Sequence, residues 1–337
     1  MGKAYIGSLV LESGQVLERV ELAYERCGNP SGPVILVCHA LTGDQHAVGS
    51  EENPGWWSGL AGPGKALDSA EFQIITFNVL GGCNGSTGPL SLNPVTGKTY
   101  RSDFPLLTIK DMVHAEYLAL KKLGITKLKA VIGGSLGGMK ALQWGALYPY
   151  FTESIIPLAV TPAFSGYALA FNHLAIQAIE NDPVFRNGYY EGSSDFKGFH
   201  LARTVGMISY RSGKLFNDRF GRSANEKKFE VEAYLDYQGQ KLARRFDANS
   251  YLILLKAMNS HDVEQQRISV PIFSVSYTND LLYPADLMIP WLEEQEEAKW
   301  KIVDTDFGHD GFLTEFGKWS GAVREFLHED QRVRAAR

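Results

Sequence analysis

The chain has 337 residues, 45% of them hydrophobic, and carries a formal net charge of −5 at pH 7 with a pI near 5.9. That length buries a large core as one big domain or two ordinary ones, and the mild acidity gives no electrostatic case for nucleic acid or an anionic membrane surface. Three cysteines without metal-ligand spacing point to no metal centre and a reducing compartment. Met1 to Val20 lacks a signal-peptide pattern and no apolar run reaches the length of a membrane span, so a cytoplasmic protein is expected.

Alternating apolar and polar residues predict a hairpin over 5–25, broken by Gly28-Asn29-Pro30. Val34-Ile35-Leu36-Val37-Cys38 is a continuous apolar run, which suits a strand covered on both faces. His39 follows at the strand end and reads as a structural histidine holding the next loop rather than as a base. Residues 44–71 are irregular, and Trp56 and Trp57 within them suit either a ligand cover or a plug over the core.

A strand is predicted over 72–77. The glycine-rich stretch 78–89 lacks a Walker lysine and GxGxxG spacing, so it reads as a packed loop, and nothing local would activate Cys83. A helix is predicted from Thr108 to Leu123, stopped by Gly124, with His114 structural. Strands are expected at Ala130 to Ile132 and at Ser154 to Val160, completing an alternating pattern that signals a parallel α/β sheet.

The pattern then changes. Helices are predicted at Tyr167–Ile179, Phe199–Tyr210, Glu226–Gln238 and Ser250–Met258, with almost no strand signal between them. The expected organisation is therefore a core of residues 1–162 and 259–337 with a helical lid inserted at 163–258. Strand signal returns at Ile272–Ser276 and Lys299–Val303, a C-terminal helix runs to about Leu327, and Arg332, Arg334 and Arg337 read as a solvated tail.

The chemistry centres on Gly133-x-Ser135-x-Gly137, set between a β-branched strand and a run of helix formers. This fits the nucleophile elbow of α/β-hydrolase folds, where a strained serine requires small residues two positions away on either side. A carboxylate past a late strand, Asp280, and a glycine-flanked histidine after the last strand, His309, complete the chain order Ser–Asp–His. In this reading His309 is the base, Asp280 orients it, and the backbone N–H groups of Leu41 and Leu136 form the oxyanion hole. Acyl transfer follows; water as acceptor makes a hydrolase, and a bound alcohol under a water-excluding lid makes a transferase.

Several motifs carry more than the elbow: His39-Ala40-Leu41-Thr42-Gly43-Asp44, Leu80 to Pro89, Thr108 to Val113, Gly133 to Met139, Phe171-Asn172-His173, Ser209-Tyr210-Arg211-Ser212, Arg245 to Tyr251 and Gly308-His309-Asp310. In these the chain resembles the homoserine O-acetyltransferases of methionine biosynthesis. The resemblance implies an α/β-hydrolase fold, a homodimer through the helical lid, no bound cofactor, and acetyl-CoA and L-homoserine as co-substrates. It further implies a ping-pong reaction through acyl-Ser135, with Arg211 binding the homoserine carboxylate and Asp310 its ammonium. Relatives of the same kind use succinyl-CoA or accept serine. The chain departs from the family pattern at Leu136 (commonly methionine), Lys140 (commonly glutamine) and Arg101 (commonly glycine). The last two are expected to bear on the acyl tunnel or the CoA mouth, where an added cation would favour a succinyl donor.

Overall fold

The expected hairpin extends further at both ends: β1 (Gly2–Val10) and β2 (Val16–Gly28) pair antiparallel. The computed structural model describes residues 1–191, 196–225 and 227–329. Glu226 and the C-terminal arginines Arg332, Arg334 and Arg337 therefore lie outside the described residues.

Apart from a two-residue pair at Ala61–Gly62 and Leu67–Asp68, six further strands follow among the described residues: β3 (Val34–Cys38), β4 (Gln73–Phe77), β5 (Ala130–Gly134), β6 (Ile155–Leu158), β7 (Ile272–Tyr277) and β8 (Ala298–Val303). They join the hairpin in one sheet of order β1-β2-β4-β3-β5-β6-β7-β8. β2 runs antiparallel to β4, and every pair from β4 to β8 is parallel. β3, β5 and β7 are buried almost throughout, which explains their unbroken apolar sequences.

Helices cover both faces. α1 (Ile109–Lys122) starts where Thr108 and Asp111 form a capping box and ends before Gly124 at φ 77°. α2 (Leu136–Leu147) follows β5 directly and is buried along most of its length. Among the described residues five α-helices separate β6 from β7: α3 (Gly166–Glu180), α4 (Lys197–Ser209), α5 (Gly213–Phe220), α6 (Glu230–Ala243) and α7 (Ala248–Asn259). α8 (Ala285–Glu293) and α9 (Ser320–His328) are the last two α-helices among the described residues.

The expected helices in this stretch are present with shifted ends, whereas α5 and α8 add to what the sequence suggested. The Trp56–Trp57 pair serves as a plug: Trp57 is fully buried and donates its indole N–H to the Phe312 carbonyl at 3.0 Å, and Trp56 donates to the Asp44 carbonyl at 3.0 Å.

Candidate active site

Ser135 stands between β5 and α2 with φ 58° and ψ −124°, a left-handed backbone rare for a residue with a side chain. The surrounding glycines permit it. A Cβ on Gly137 would overlap the Cys38 carbonyl oxygen, and one on Gly133 would overlap both that oxygen and the Gly137 carbonyl. Gly134, whose need the motif did not reveal, lies against the Phe312 ring. The turn therefore lets β3, β5 and α2 meet at backbone distance and leaves Ser135 at the N-terminus of α2, where the helix dipole favours negative charge.

Asp280 and His309 come from loops after β7 and β8 and meet directly, His309 Nδ1 to Asp280 Oδ2 at 2.8 Å, with both side chains buried. The other Asp280 oxygen accepts the backbone N–H groups of Leu282 at 2.9 Å and Tyr283 at 3.0 Å. Asn279, at φ 61°, ties the two loops together by donating its amide N–H to the Thr305 carbonyl at 2.9 Å. A carboxylate held on both oxygens fixes the imidazole with Nδ1–H toward it and leaves Nε2 as the basic nitrogen.

Three aromatic rings enclose His309, and sequence reasoning missed all of them. Tyr283 stacks on it at 4.9 Å, Tyr210 lies at 5.5 Å, and Phe312 meets it edge-on at 5.5 Å. Burial pushes the Tyr283 phenol well above the usual tyrosine range, so it stays protonated, and its hydroxyl faces Ser135 without a regular hydrogen bond. Ser135 and His309 thus share Tyr283 as a neighbour, and among the described residues no hydrogen bond joins them directly. Such contacts often tighten only when substrate is bound. The one signal available in the sequence was position, since Tyr283 lies three residues after Asp280.

Leu136 is the first residue of α2, and Leu41 sits in the turn closed by Gly43 N–H donating to the Ala40 carbonyl at 2.9 Å. Among the described residues neither N–H has a protein acceptor. His39 holds this turn: its ring bonds the Ala40 carbonyl through Nδ1 at 2.7 Å and accepts the Val79 N–H through Nε2 at 3.0 Å. Burial, reinforced by nearby Lys140, lowers its pKa to about 4, so the ring is neutral, as a structural histidine requires.

Arg211 occupies the joint between α4 and α5, which docks on the His309 loop through Asp310 N–H donating to the Tyr210 carbonyl at 3.2 Å. Its guanidinium pairs with Asp310 through Nε at 2.9 Å and donates to the Tyr234 hydroxyl through Nη1 at 2.7 Å. The two residues expected at opposite ends of a zwitterion are therefore each other's partner.

Lys140 is not where the sequence suggested. It is fully buried between α1 and α2, bonded to Glu116, which also accepts the Trp144 indole N–H at 3.1 Å. A lysine so paired carries no charge toward a substrate. Arg101 has φ 51°, a conformation that glycine adopts without strain, and it lies on the wall of a separate cavity of about 610 Å³. The cavity at Ser135 measures about 20 Å³; it is walled by α3, α4, α7, Leu282 and Tyr283, and none of its lining residues is charged. Burial pushes the Cys83 thiol up to about 11, so it is no nucleophile. No cluster of metal ligands occurs among the described residues, and none of their helices is long and apolar enough to cross a membrane.

A family model described as alpha/beta hydrolase fold matches residues 33–316. Homoserine O-acetyltransferase of Symbiobacterium thermophilum is 44% identical, over 95% of this chain and 92% of that protein. The enzyme of the same name from Moorella thermoacetica is 43% identical, over 95% and 94%. Among solved structures, homoserine O-acetyltransferase from Bacillus anthracis superposes with a TM-score of 0.92 at 27% identity, covering 98% of this chain and 97% of that one. Esterase E22 superposes with a TM-score of 0.89 at 26% identity, covering 97% and 99%. The chain belongs to the homoserine O-acetyltransferase family of the α/β-hydrolase fold.

Proposed function

We propose that this chain is a homoserine O-acetyltransferase that works by ping-pong transfer through Ser135, on the path to methionine. The observation that carries the reading is the strained Ser135 elbow beside the bonded His309–Asp280 pair, in a chain of this family. Ser135 Oγ attacks the thioester carbonyl of acetyl-CoA as His309 Nε2 takes its proton. The oxyanion rests on the N–H groups of Leu41 and Leu136. Collapse breaks the C–S bond, and His309 returns the proton to the leaving thiolate. The homoserine hydroxyl then attacks acetyl-Ser135, its proton passing through His309 to the serine oxygen.

The acceptor's charges find complementary groups at Arg211 and Asp310. Arg211 commits Nε and Nη1 to Asp310 and Tyr234, which leaves Nη2 for a carboxylate. Asp310 commits Oδ2, leaving Oδ1 for an ammonium. Residues 163–258 act as the lid over a core of 1–162 and 259–337. The uncharged, narrow cavity at Ser135 favours acetyl over a carboxylate-bearing succinyl group. Exposed Leu169, Leu174, Leu201 and Ile208 on α3 and α4 suit a homodimer contact through the lid. Three unpaired cysteines accord with a cytoplasmic enzyme.

The likeness to esterase E22 favours a second reading, hydrolysis of acyl esters. Thiol release from acetyl-CoA and from succinyl-CoA, each with homoserine, serine or water, separates the two. Homoserine-dependent release from acetyl-CoA, lost in Ser135→Ala, is the expected result. Equal release with water alone makes the protein a hydrolase.

A further inference from the structure

The cavity of about 610 Å³ is not the one at Ser135, and its wall is rich in arginine. Arg101, Arg244 and Arg245 line it together with Tyr190, Glu191 and Asp247. Asp247 is fully committed as the cap of α7, accepting the Ser250 N–H at 2.8 Å on one oxygen and the Tyr190 hydroxyl on the other. Among the described residues none of the three arginines forms an ion pair. The Arg101 guanidinium donates only to the Tyr190 carbonyl at 2.9 Å, and that of Arg245 only to the Thr42 carbonyl at 2.9 Å. Burial lowers the Arg245 pKa, the like charge of Arg203 acts in the same direction, and Asp44 offsets them only in part without an ion pair; the buried Nε of Arg203 itself has no partner. Guanidinium groups set together without carboxylate partners are a stored demand for an anion, and their planar forks match phosphate oxygens.

The cavity also lies in the right place for a long ligand. Arg245 contacts Thr42, the residue after Leu41, so a chain leaving the cavity past Arg245 arrives at the expected oxyanion groups. The Ser135 cavity, at about 20 Å³ and without charged lining, holds no more than an acyl group. The polyanionic end of a thioester donor must therefore sit elsewhere, and about 610 Å³ falls within the usual range for ligand pockets.

We infer that the cavity walled by Arg101, Arg244 and Arg245 binds the phosphates at the nucleotide end of the acyl-CoA donor. This rests on the acyl-CoA reading proposed above. The test compares acetyl-CoA with S-acetylpantetheine, which has the same thioester but no phosphate. Arg244 is exposed, and its backbone caps α6 while its guanidinium makes no hydrogen bond or ion pair among the described residues, so Arg244→Glu is the variant of choice, with Arg244→Lys as the charge-preserving control.

The kcat/KM advantage of acetyl-CoA over S-acetylpantetheine falls about tenfold in Arg244→Glu, the loss of one charge-assisted contact and its replacement by repulsion. Arg244→Lys recovers most of it. Adenosine 3′,5′-bisphosphate inhibits wild type competitively with acetyl-CoA. An unchanged advantage in Arg244→Glu overturns the inference, as does bisphosphate inhibition that acetyl-CoA does not relieve, which would mark a separate effector site. If wild type releases no thiol from any donor, the acyl-CoA reading itself fails. Calorimetry with the bisphosphate alone still reports on the cavity: binding weakened about tenfold by Arg244→Glu retains a phosphate site, and no binding removes it.

Discussion

Replacing Lys140 by methionine tests the account of the core. Lys140 and Glu116 are both fully buried, and the carboxylate also receives Trp144 and lies at 4.0 Å from the Cys38 thiol. Burial acts to lower the Lys140 pKa, but the Glu116 carboxylate in direct contact outweighs it and holds the ammonium above its ordinary value. Removing one partner strands a buried charge, which costs about 4 kcal/mol. Unfolding entropy over 337 residues is about 0.7 kcal/mol/K, so Tm falls by about 6 °C. The double variant Lys140→Met/Glu116→Gln removes both charges and keeps an acceptor for Trp144, so it recovers at least half of the loss. Scanning calorimetry measures all three proteins, and thiol release measures the acetyl-to-succinyl preference, which stays unchanged. A single variant within about 1 °C of wild type, far short of that shift, would refute the buried pair. A changed acyl preference would refute its isolation from the site.

Three further outcomes are expected. His39 and His261 are buried and neutral, each with a pKa lowered to about 4, chiefly by burial. The unfolded chain binds their protons near pH 6.5 and the folded chain only near 4, so stability is full above pH 6.5 and falls as the pH drops toward 4. At pH 5 each contributes a loss of about 2 kcal/mol, and urea midpoints that stay flat between pH 7 and 5 would contradict this. Asp280→Asn keeps the loop but loses the tautomer control of His309, lowering kcat by about 10⁴ in steady-state assays; a drop under tenfold would exclude its role. Arg211→Lys loses the planar fork toward carboxylate, Asp310 and Tyr234, and raises the KM for homoserine at least about tenfold; an unchanged KM removes it from the acceptor site.

What the sequence revealed follows the range of the forces involved. The elbow was legible because its constraint is steric and local: Gly133 and Gly137 are needed within two residues of Ser135. The stop at Gly124 is likewise a signal written within one turn of α1, whereas the Thr108 capping box emerged only from the structure. Asp280 and His309 were found by chain order, and their bond joins loops 29 residues apart. Lys140 was misjudged because its partner Glu116 lies on another helix, 24 residues away, and no periodicity reports a charge paired across two helices. α8 escaped notice because Pro290 interrupts its pattern, and α5 because it is short and has no buried residue. The rings around His309 and the Arg211–Tyr234 bond depend on how separate helices dock, which single-chain patterning does not encode.

The most direct test of the central claim is the mass of the protein mixed with acetyl-CoA in the absence of homoserine. A ping-pong reaction through Ser135 predicts one acetyl group, placed on the peptide carrying Ser135, absent in Ser135→Ala, and discharged when homoserine is added. An unmodified protein that releases thiol only when both substrates are present, or an acetyl group on another residue, would contradict it.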